Sequence, residues 1–100
     1  MKKLMIVQPT NGRFASEVQA ERKAAAQDAA DRLGEPLAVL NRAGEPGDYY
    51  EIEMEYLAEH LRKMAQADVV YFVRGWTGTH LCRVLHTVAA AYDLLMLYGN

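Results

Sequence analysis

Side chains capable of chemistry are concentrated in thirteen residues, Arg74 to His86, which read RGWTGTHLCRVLH. Gly75, Gly78 and Thr79 lead out of an apolar run into a segment with helical spacing. The free N–H groups at the start of a helix, with a hydroxyl beside them, suit a phosphate or a carboxylate. The same residues also make an ordinary turn and helix cap. The stretch therefore predicts either an anion site or a plain strand-to-helix turn.

The aromatic side chains near these loops have two interpretations. Trp76 can stack on a nucleobase beside a crevice, or its ring can fold back over the edge of a sheet. Tyr49 and Tyr50 present the same choice, with the first turn of a helix as their alternative location. The residues alone leave both interpretations open.

Cys82 and His86 lie four residues apart, so on a helix they share a face and could form a thiolate–imidazole pair or two metal ligands. No third ligand follows from the spacing, and a lone cysteine on a packed helix usually behaves as a small apolar residue. The sequence also has neither a Walker lysine pattern nor GxGxxG. We therefore predict no metal and no cofactor.

These residues need a scaffold, and the apolar pattern supplies one. Short β-prone runs predict strands over residues 3–7, 37–41, 69–73 and 94–98, of which the continuous run VVYFV predicts a central, fully buried strand. Helical spacing predicts helices from Ser16, with Gln19 completing a capping box, between Glu51 and Gln66, and after a cap at Thr79.

Strands that alternate with helices predict parallel pairing and an α/β fold, a three-layer α/β/α sandwich. Ligands of such sheets bind beyond the carboxyl ends of the strands, where the strand order reverses. Three loops meet that description: residues 8–14, 41–50 and 74–79. At 100 residues, the chain suits a single domain over residues 1–100.

The charge and composition of the chain limit the classes of partner that it is expected to bind. The chain has 11 Lys and Arg against 13 Asp and Glu, without a run of like charges, so we expect neither nucleic acid nor a membrane surface as partner. One cysteine and no apolar run near the roughly 20 residues of a membrane span favour a cytoplasmic protein. The opening MKKLMIV is interpreted as a strand because its apolar run stops at Gln8. The alanine runs AAAQDAA and TVAAAY let helices approach the sheet or a neighbouring subunit closely, and we expect a homo-oligomer.

Four segments together resemble small phage and prophage proteins of the nucleoside 2-deoxyribosyltransferase-like superfamily. The segments are a strand with a Gln-Pro turn, an alanine-rich helix, a second helix running into a strand, and a Gly-Trp to Cys-Arg segment: MIVQPTNGR, SEVQAERKAAAQDAADRLG, YLAEHLRKMAQADVVYF and GWTGTHLCRVLH. The resemblance spans nearly the whole chain. It implies a flavodoxin-like, Rossmann-like sheet of strand order 2-1-3-4, with a nucleoside or nucleotide bound between the first and third strands.

In the active transferases of that superfamily, a glutamate on the helix after the third strand attacks the anomeric carbon. The ungapped spacing from Gly-Trp to Cys-Arg carries that glutamate onto Leu85, with His86 beside it. Leucine can neither attack carbon nor offset positive charge. Leu81 also replaces the glycine before Cys-Arg, and Val7 replaces the small residue after the first strand. The resemblance therefore implies a scaffold without its usual nucleophile, a pseudoenzyme.

The resulting expectation is a nucleoside- or nucleotide-binding protein whose catalytic residues are unknown. Two alternatives stay open: an N-glycosidic-bond enzyme with a non-standard group such as Glu55, Glu59 or Asp93, and a non-catalytic oligomeric scaffold. The expected ligand-binding residues are Gln8, Pro9, Gly12, Gly75, Trp76 and Thr79.

Overall fold

The computed structural model describes residues 1–10, 12–41 and 53–99 of the chain. The strands are β1 (Lys2–Val7), β2 (Leu37–Val39), β3 (Val69–Phe72) and β4 (Leu95–Tyr98). The helices are α1 (Ala15–Leu33), α2 (Glu53–Met64) and α3 (His80–Ala91), and a single 3-10 turn, Trp76–Gly78, precedes α3. The element order confirms the alternation predicted from the sequence.

The four strands form one parallel sheet in the order β2-β1-β3-β4, as expected. Leu4 pairs with Val69 and Val7 with Phe72, so the two inner strands are aligned end to end. The chain passes outward from β1 to β2 and then returns across β1 to β3. The carboxyl end of β1 is therefore the point at which the strand order reverses.

The core has one layer on each face of the sheet, which confirms the three-layer α/β architecture. On one face, Ala25 and Ala29 of α1 pack against Leu4 and Ile6 of β1. On the other, α2 and α3 pack against the alternate residues of β1 and β3 through Met64, Cys82, Leu85 and Ala89. Alanines of α1 and α3 thus pack against the chain's own sheet. β3 is buried along its whole length, as predicted for a central strand.

The caps of α1 and α3 differ from the sequence-based expectation. The helix α1 begins at Ala15, and Phe14, in an extended conformation, occupies the N-cap position without a side-chain cap bond. Because the Phe14 carbonyl accepts from the N–H groups of Glu17 and Val18, Ser16 already lies within the first turn, and the predicted capping box at Ser16 is wrong. Thr79 does occupy the N-cap position of α3, but its side chain makes no cap bond.

The strand β2 ends earlier than predicted, and a side chain takes over its pairing. The last backbone bond from this segment to β1 runs from the Leu40 N–H to the Leu4 carbonyl, at 2.8 Å. Asn41 Oδ1 then accepts from the Ile6 N–H at 2.8 Å, and Asn41 Nδ2 donates to the Ile6 carbonyl at 3.0 Å. The amide therefore replaces one further step of the backbone ladder.

Among the helices of the described residues, none is both long enough and apolar enough to cross a membrane. The expected loop over residues 41–50, including Tyr49 and Tyr50, lies outside the described residues except for Asn41.

Candidate functional site

A polar cleft lies above the carboxyl end of β1, between α1 on one face of the sheet and α2 and α3 on the other. Each of these elements contributes to its wall. The lining residues are Ile6, Val7, Gln8, Thr10, Arg22, Asn41, Tyr56, His60, Leu81, Cys82 and Leu85. The cleft thus occupies the switch point of the sheet, where parallel α/β folds bind their ligands.

The enclosed part of this cleft is small. About 20 Å³ is open to the centres of water molecules. This is enough for roughly one ordered water, whereas ligand pockets for drug-sized molecules span roughly 300–1,000 Å³. A larger ligand therefore has to occupy the open mouth of the cleft.

Gln8 is the buried polar residue at the base of the cleft, with 9% of its surface exposed. Its Nε2 donates to the Val18 carbonyl at 3.1 Å and to Glu21 Oε1 at 3.0 Å. Its Oε1 accepts from Nε of Arg22 at 2.7 Å. These bonds fix the orientation of the amide, and through Oε1 the amide holds the guanidinium of Arg22.

An ion pair lies beside Gln8, behind the lining of the cleft. Arg13 donates to both carboxylate oxygens of Glu21, at 2.8 and 3.0 Å, and to the Pro9 carbonyl at 2.9 Å. Burial raises the pKa of Glu21, but the hydrogen bonds from Arg13 and Gln8 outweigh it, and the net shift is downward. The bond to Glu21 in turn raises the pKa of Arg13. The pair is ionised and neutralises itself.

Among the described residues that line the cleft, the charged side chain is cationic. This residue is Arg22, and the lining contains no aspartate or glutamate within the described residues. Thr10 and Tyr56 add hydroxyl groups that can donate or accept. This combination favours an anionic or polar ligand.

His60 is the titratable imidazole of the cleft. Its Nδ1 lies 2.9 Å from the Tyr56 carbonyl, and the two rings meet edge to face with centroids 4.3 Å apart. Because a carbonyl only accepts, Nδ1 carries the hydrogen, and Nε2 carries the lone pair of the neutral ring. In this tautomer Nε2 is a hydrogen-bond acceptor.

The α3 side of the cleft is apolar. Leu85 is 1% exposed and packs in the core cluster with Met5, Val7 and Phe72 while its surface lines the cleft. Burial raises the pKa of the neighbouring Cys82 thiol to about 11, so the thiol is protonated at neutral pH. Neither side chain is a nucleophile there.

Trp76 does not line this cleft. Its indole stacks on the imidazole of His86, and both rings contact Phe72 in the core. His86 Nε2 lies 2.6 Å from the Tyr98 hydroxyl. The indole is thus folded back over α3 and the end of the edge strand β4, which is the second of the two locations considered for it. Cys82 and His86 do not act together, because Cys82 packs in the core and His86 belongs to the aromatic cluster with Trp76 and Tyr98.

The other expected ligand-binding residues have local roles. Pro9 accepts the bond from Arg13, and Gly12 and Gly75 adopt left-handed conformations, with φ of 71° and 94°, that favour glycine. Thr79 begins α3. Of the residues predicted for ligand binding or for the catalytic position, Gln8 and Leu85 line the cleft. Ligand contact by the other five stays a prediction: Pro9, Gly12, Gly75, Trp76 and Thr79.

Sequence reasoning missed most of the polar lining. The spacing of Tyr56 and His60 on α2 is that of an amphipathic helix and does not by itself indicate a site, yet both residues line the cleft. Arg22 follows the buried Val18 by four residues, so it shares the sheet-facing side of α1. The four-residue spacing from Val18 is the sequence feature that could have placed Arg22 near the sheet.

The residues that the structure describes contain no group of three or more His, Cys, Asp or Glu side chains arranged to hold a metal ion. Comparison with protein-family models, with curated proteins and with solved structures finds no match to this chain.

Proposed function

We propose that this chain binds a nucleoside or nucleotide in the cleft and is a degenerate relative of the nucleoside 2-deoxyribosyltransferases. The observation that carries the proposal is a cationic, hydroxyl-bearing cleft at the switch point of the sheet, with Leu85 buried in its wall. Leu85 occupies the position to which the resemblance assigns the nucleophilic glutamate. The scaffold and the polar groups for binding are present, and the side chain at that position is inert.

Binding would rest on three side chains at the mouth of the cleft. Arg22 supplies a guanidinium for an anionic or carbonyl oxygen. Tyr56 supplies a hydroxyl and an aromatic surface, and His60 supplies a hydrogen-bond acceptor at Nε2. Sugars and bases carry complementary hydroxyl, amino and carbonyl groups.

Double displacement at an anomeric carbon needs a carboxylate that can bond to the carbon and stabilise positive charge. The acidic residues considered as replacements are poorly placed. Glu55 and Glu59 are exposed on α2, and Glu59 pairs with Arg62. Asp93 precedes β4 and so lies at the amino edge of the sheet, opposite the cleft. Their positions favour binding over transferase chemistry.

Thermal denaturation with a panel of deoxynucleosides and their 5′-monophosphates tests the proposal. A ligand at roughly 100 times its Kd should stabilise the fold by about 2.7 kcal/mol. Tyr56→Ala should abolish the shift, whereas Tyr92→Ala, which removes a ring that is 77% exposed, should retain it. Chromatography of the same mixtures should detect no free base.

Two outcomes contradict the proposal. Free base that disappears in Tyr56→Ala would establish an N-glycosidic enzyme. No shift with any member of the panel would exclude nucleoside binding and favour the oligomeric scaffold.

The scaffold alternative has one observation in its favour. Three large side chains on and just before the edge strand β4 are exposed: Tyr92 by 77%, Leu95 by 47% and Tyr98 by 41%. Such side chains are suited to contact with a second copy of the chain. Sedimentation velocity tests it, since Leu95→Lys should convert an oligomer assembled there into monomers.

A further inference from the structure

A second, open cavity adjoins the cleft between α1 and the edge strand β2. We name it the α1 shelf; it has a volume of about 380 Å³ and is lined by Gln19, Arg22, Lys23, Ala26, Val39 and Asn41. Arg22 and Asn41 line both the shelf and the cleft. A ligand in the mouth of the cleft therefore has direct access to the shelf.

The shelf is built on one stripe of a helix. Its α1 residues, Gln19, Arg22, Lys23 and Ala26, follow the spacing i, i+3, i+4 and i+7, which places them on one side of the helix. That side faces the exposed edge strand β2, where Val39 supplies an apolar floor. The shelf is thus a shallow groove between α1, which supplies Gln19, Arg22 and Lys23, and the edge of the sheet at β2.

The charge of the shelf is positive. Arg22 and Lys23 line it, and among the described residues that line it none is aspartate or glutamate. Lys23 makes no ion pair and no hydrogen bond within the described residues. A further cavity continues along α1 from Lys23, and the first acidic residue of α1 that lines it, Asp31, follows Lys23 by eight positions, or about 12 Å along the axis of an α-helix.

One of the two cations is held in place. The bond from Arg22 Nε to Gln8 Oε1, at 2.7 Å, fixes the plane of the guanidinium. A planar guanidinium that is oriented before the ligand arrives loses less side-chain freedom on binding an oxyanion. Lys23 adds a second positive charge beside it.

We infer that the α1 shelf is a subsite for the phosphate of a nucleoside monophosphate whose nucleoside occupies the mouth of the cleft. The inference rests on the proposed function and specifies its ligand class. Arg22 binds the phosphate through its guanidinium and Lys23 through its ammonium group. The preferred ligand is thus a monophosphate and not the free nucleoside.

Titration calorimetry on matched pairs of nucleoside and 5′-monophosphate tests the subsite. The monophosphate should bind about tenfold more tightly, as expected for charge-assisted hydrogen bonds at a partly exposed site. Lys23→Gln should weaken the monophosphate about three- to tenfold and leave the nucleoside unchanged. Lys3→Gln makes the same change of charge at the amino edge of the sheet and should alter neither ligand.

Salt and inorganic phosphate provide two further readouts. The advantage of the monophosphate should shrink as ionic strength rises, because the shelf is open to solvent. Inorganic phosphate should compete with the monophosphate and not with the nucleoside.

The outcomes separate the two proposals. If nucleoside and monophosphate bind equally, or if Lys23→Gln behaves like Lys3→Gln, the phosphate subsite is wrong while nucleoside binding stands. If neither ligand binds the wild-type chain, the proposed function itself is wrong and the subsite falls with it.

Discussion

The imidazole of His86 lies flat against the indole of Trp76, with ring centroids 4.3 Å apart and an angle of 18° between the planes. The short 3-10 turn at Trp76–Gly78 brings the indole back onto α3, where His86 is held from its other end by the Tyr98 hydroxyl. The turn that follows β3 is therefore tied to both α3 and β4.

We expect Trp76 and His86 to be energetically coupled. In a double-mutant cycle with Trp76→Ala and His86→Ala, the coupling should be about 0.5–1.5 kcal/mol, the range of aromatic pairs. Urea unfolding followed by far-ultraviolet circular dichroism measures it without relying on tryptophan fluorescence. The cycle with Tyr92→Ala in place of His86→Ala should show no coupling. Additive effects of Trp76→Ala and His86→Ala would mean that the stack does not persist in solution.

Leu85→Glu should cost about 3 kcal/mol or more in the free energy of unfolding. The carboxylate would enter a site that is 1% exposed and is packed against Met5 and Phe72. Leu85→Met, which retains size and polarity, should cost about 1 kcal/mol or less. Both values come from urea titrations at neutral pH. A Leu85→Glu variant as stable as the wild type would show that position 85 opens to solvent.

Glu21→Gln should lower stability by about 1 kcal/mol at neutral pH, because it removes a bidentate but partly solvated ion pair with Arg13. Since the fold lowers the pKa of Glu21, the contribution is present above the unfolded value of about 4.3 and is lost as the pH falls below it. The wild type should therefore lose more stability than Glu21→Gln as the solution is acidified.

The control for Glu21 is Glu59→Gln, which removes the exposed pair with Arg62. It should change stability little at any pH. Equal acid sensitivity of the wild type and Glu21→Gln would contradict the role of the Arg13–Glu21 pair.

Tyr71 should titrate late in alkaline solution. Burial first, and then its hydrogen bond to Asp28, raise its pKa to about 12. Because the fold retains this proton more tightly than the unfolded chain, whose tyrosines ionise near pH 10, its contribution to stability is complete below about pH 10 and is lost as the pH rises towards 12.

Ultraviolet absorbance of the phenolate measures that titration. Tyr71→Phe should abolish the late step, and Tyr92→Phe should leave it in place. A titration of the wild type that is complete well before pH 12, with the fold still intact, would show that Asp28 does not hold the phenol.

Much of the fold is predictable because its signals are local. The run from Val69 to Val73 is apolar at every position, which indicates a strand covered on both faces, and β3 is such a strand. The glycine at position 34 marks the end of α1 by its left-handed conformation. Caps are less predictable: Ser16 has the expected side chain, but the helix begins before it.

The site is less predictable because its residues come together only in the folded chain. Gln8 follows directly from its place after β1. Arg22 and His60 lie on different helices, and their convergence depends on which face of the sheet each helix covers. The sequence is compatible with two locations for Trp76. The contact with His86 distinguishes them, and it joins residues that are ten positions apart and separated by a turn.

Asn41 gives the sheet a fixed final anchor on this side of the molecule. Because its amide bonds both the N–H and the carbonyl of Ile6, the register of β2 is set before the connection to α2 begins. Residues added or deleted beyond that anchor cannot shift the pairing of the strand. Position 41 is therefore where a side chain, and no longer the backbone, fixes the alignment of β2 with β1.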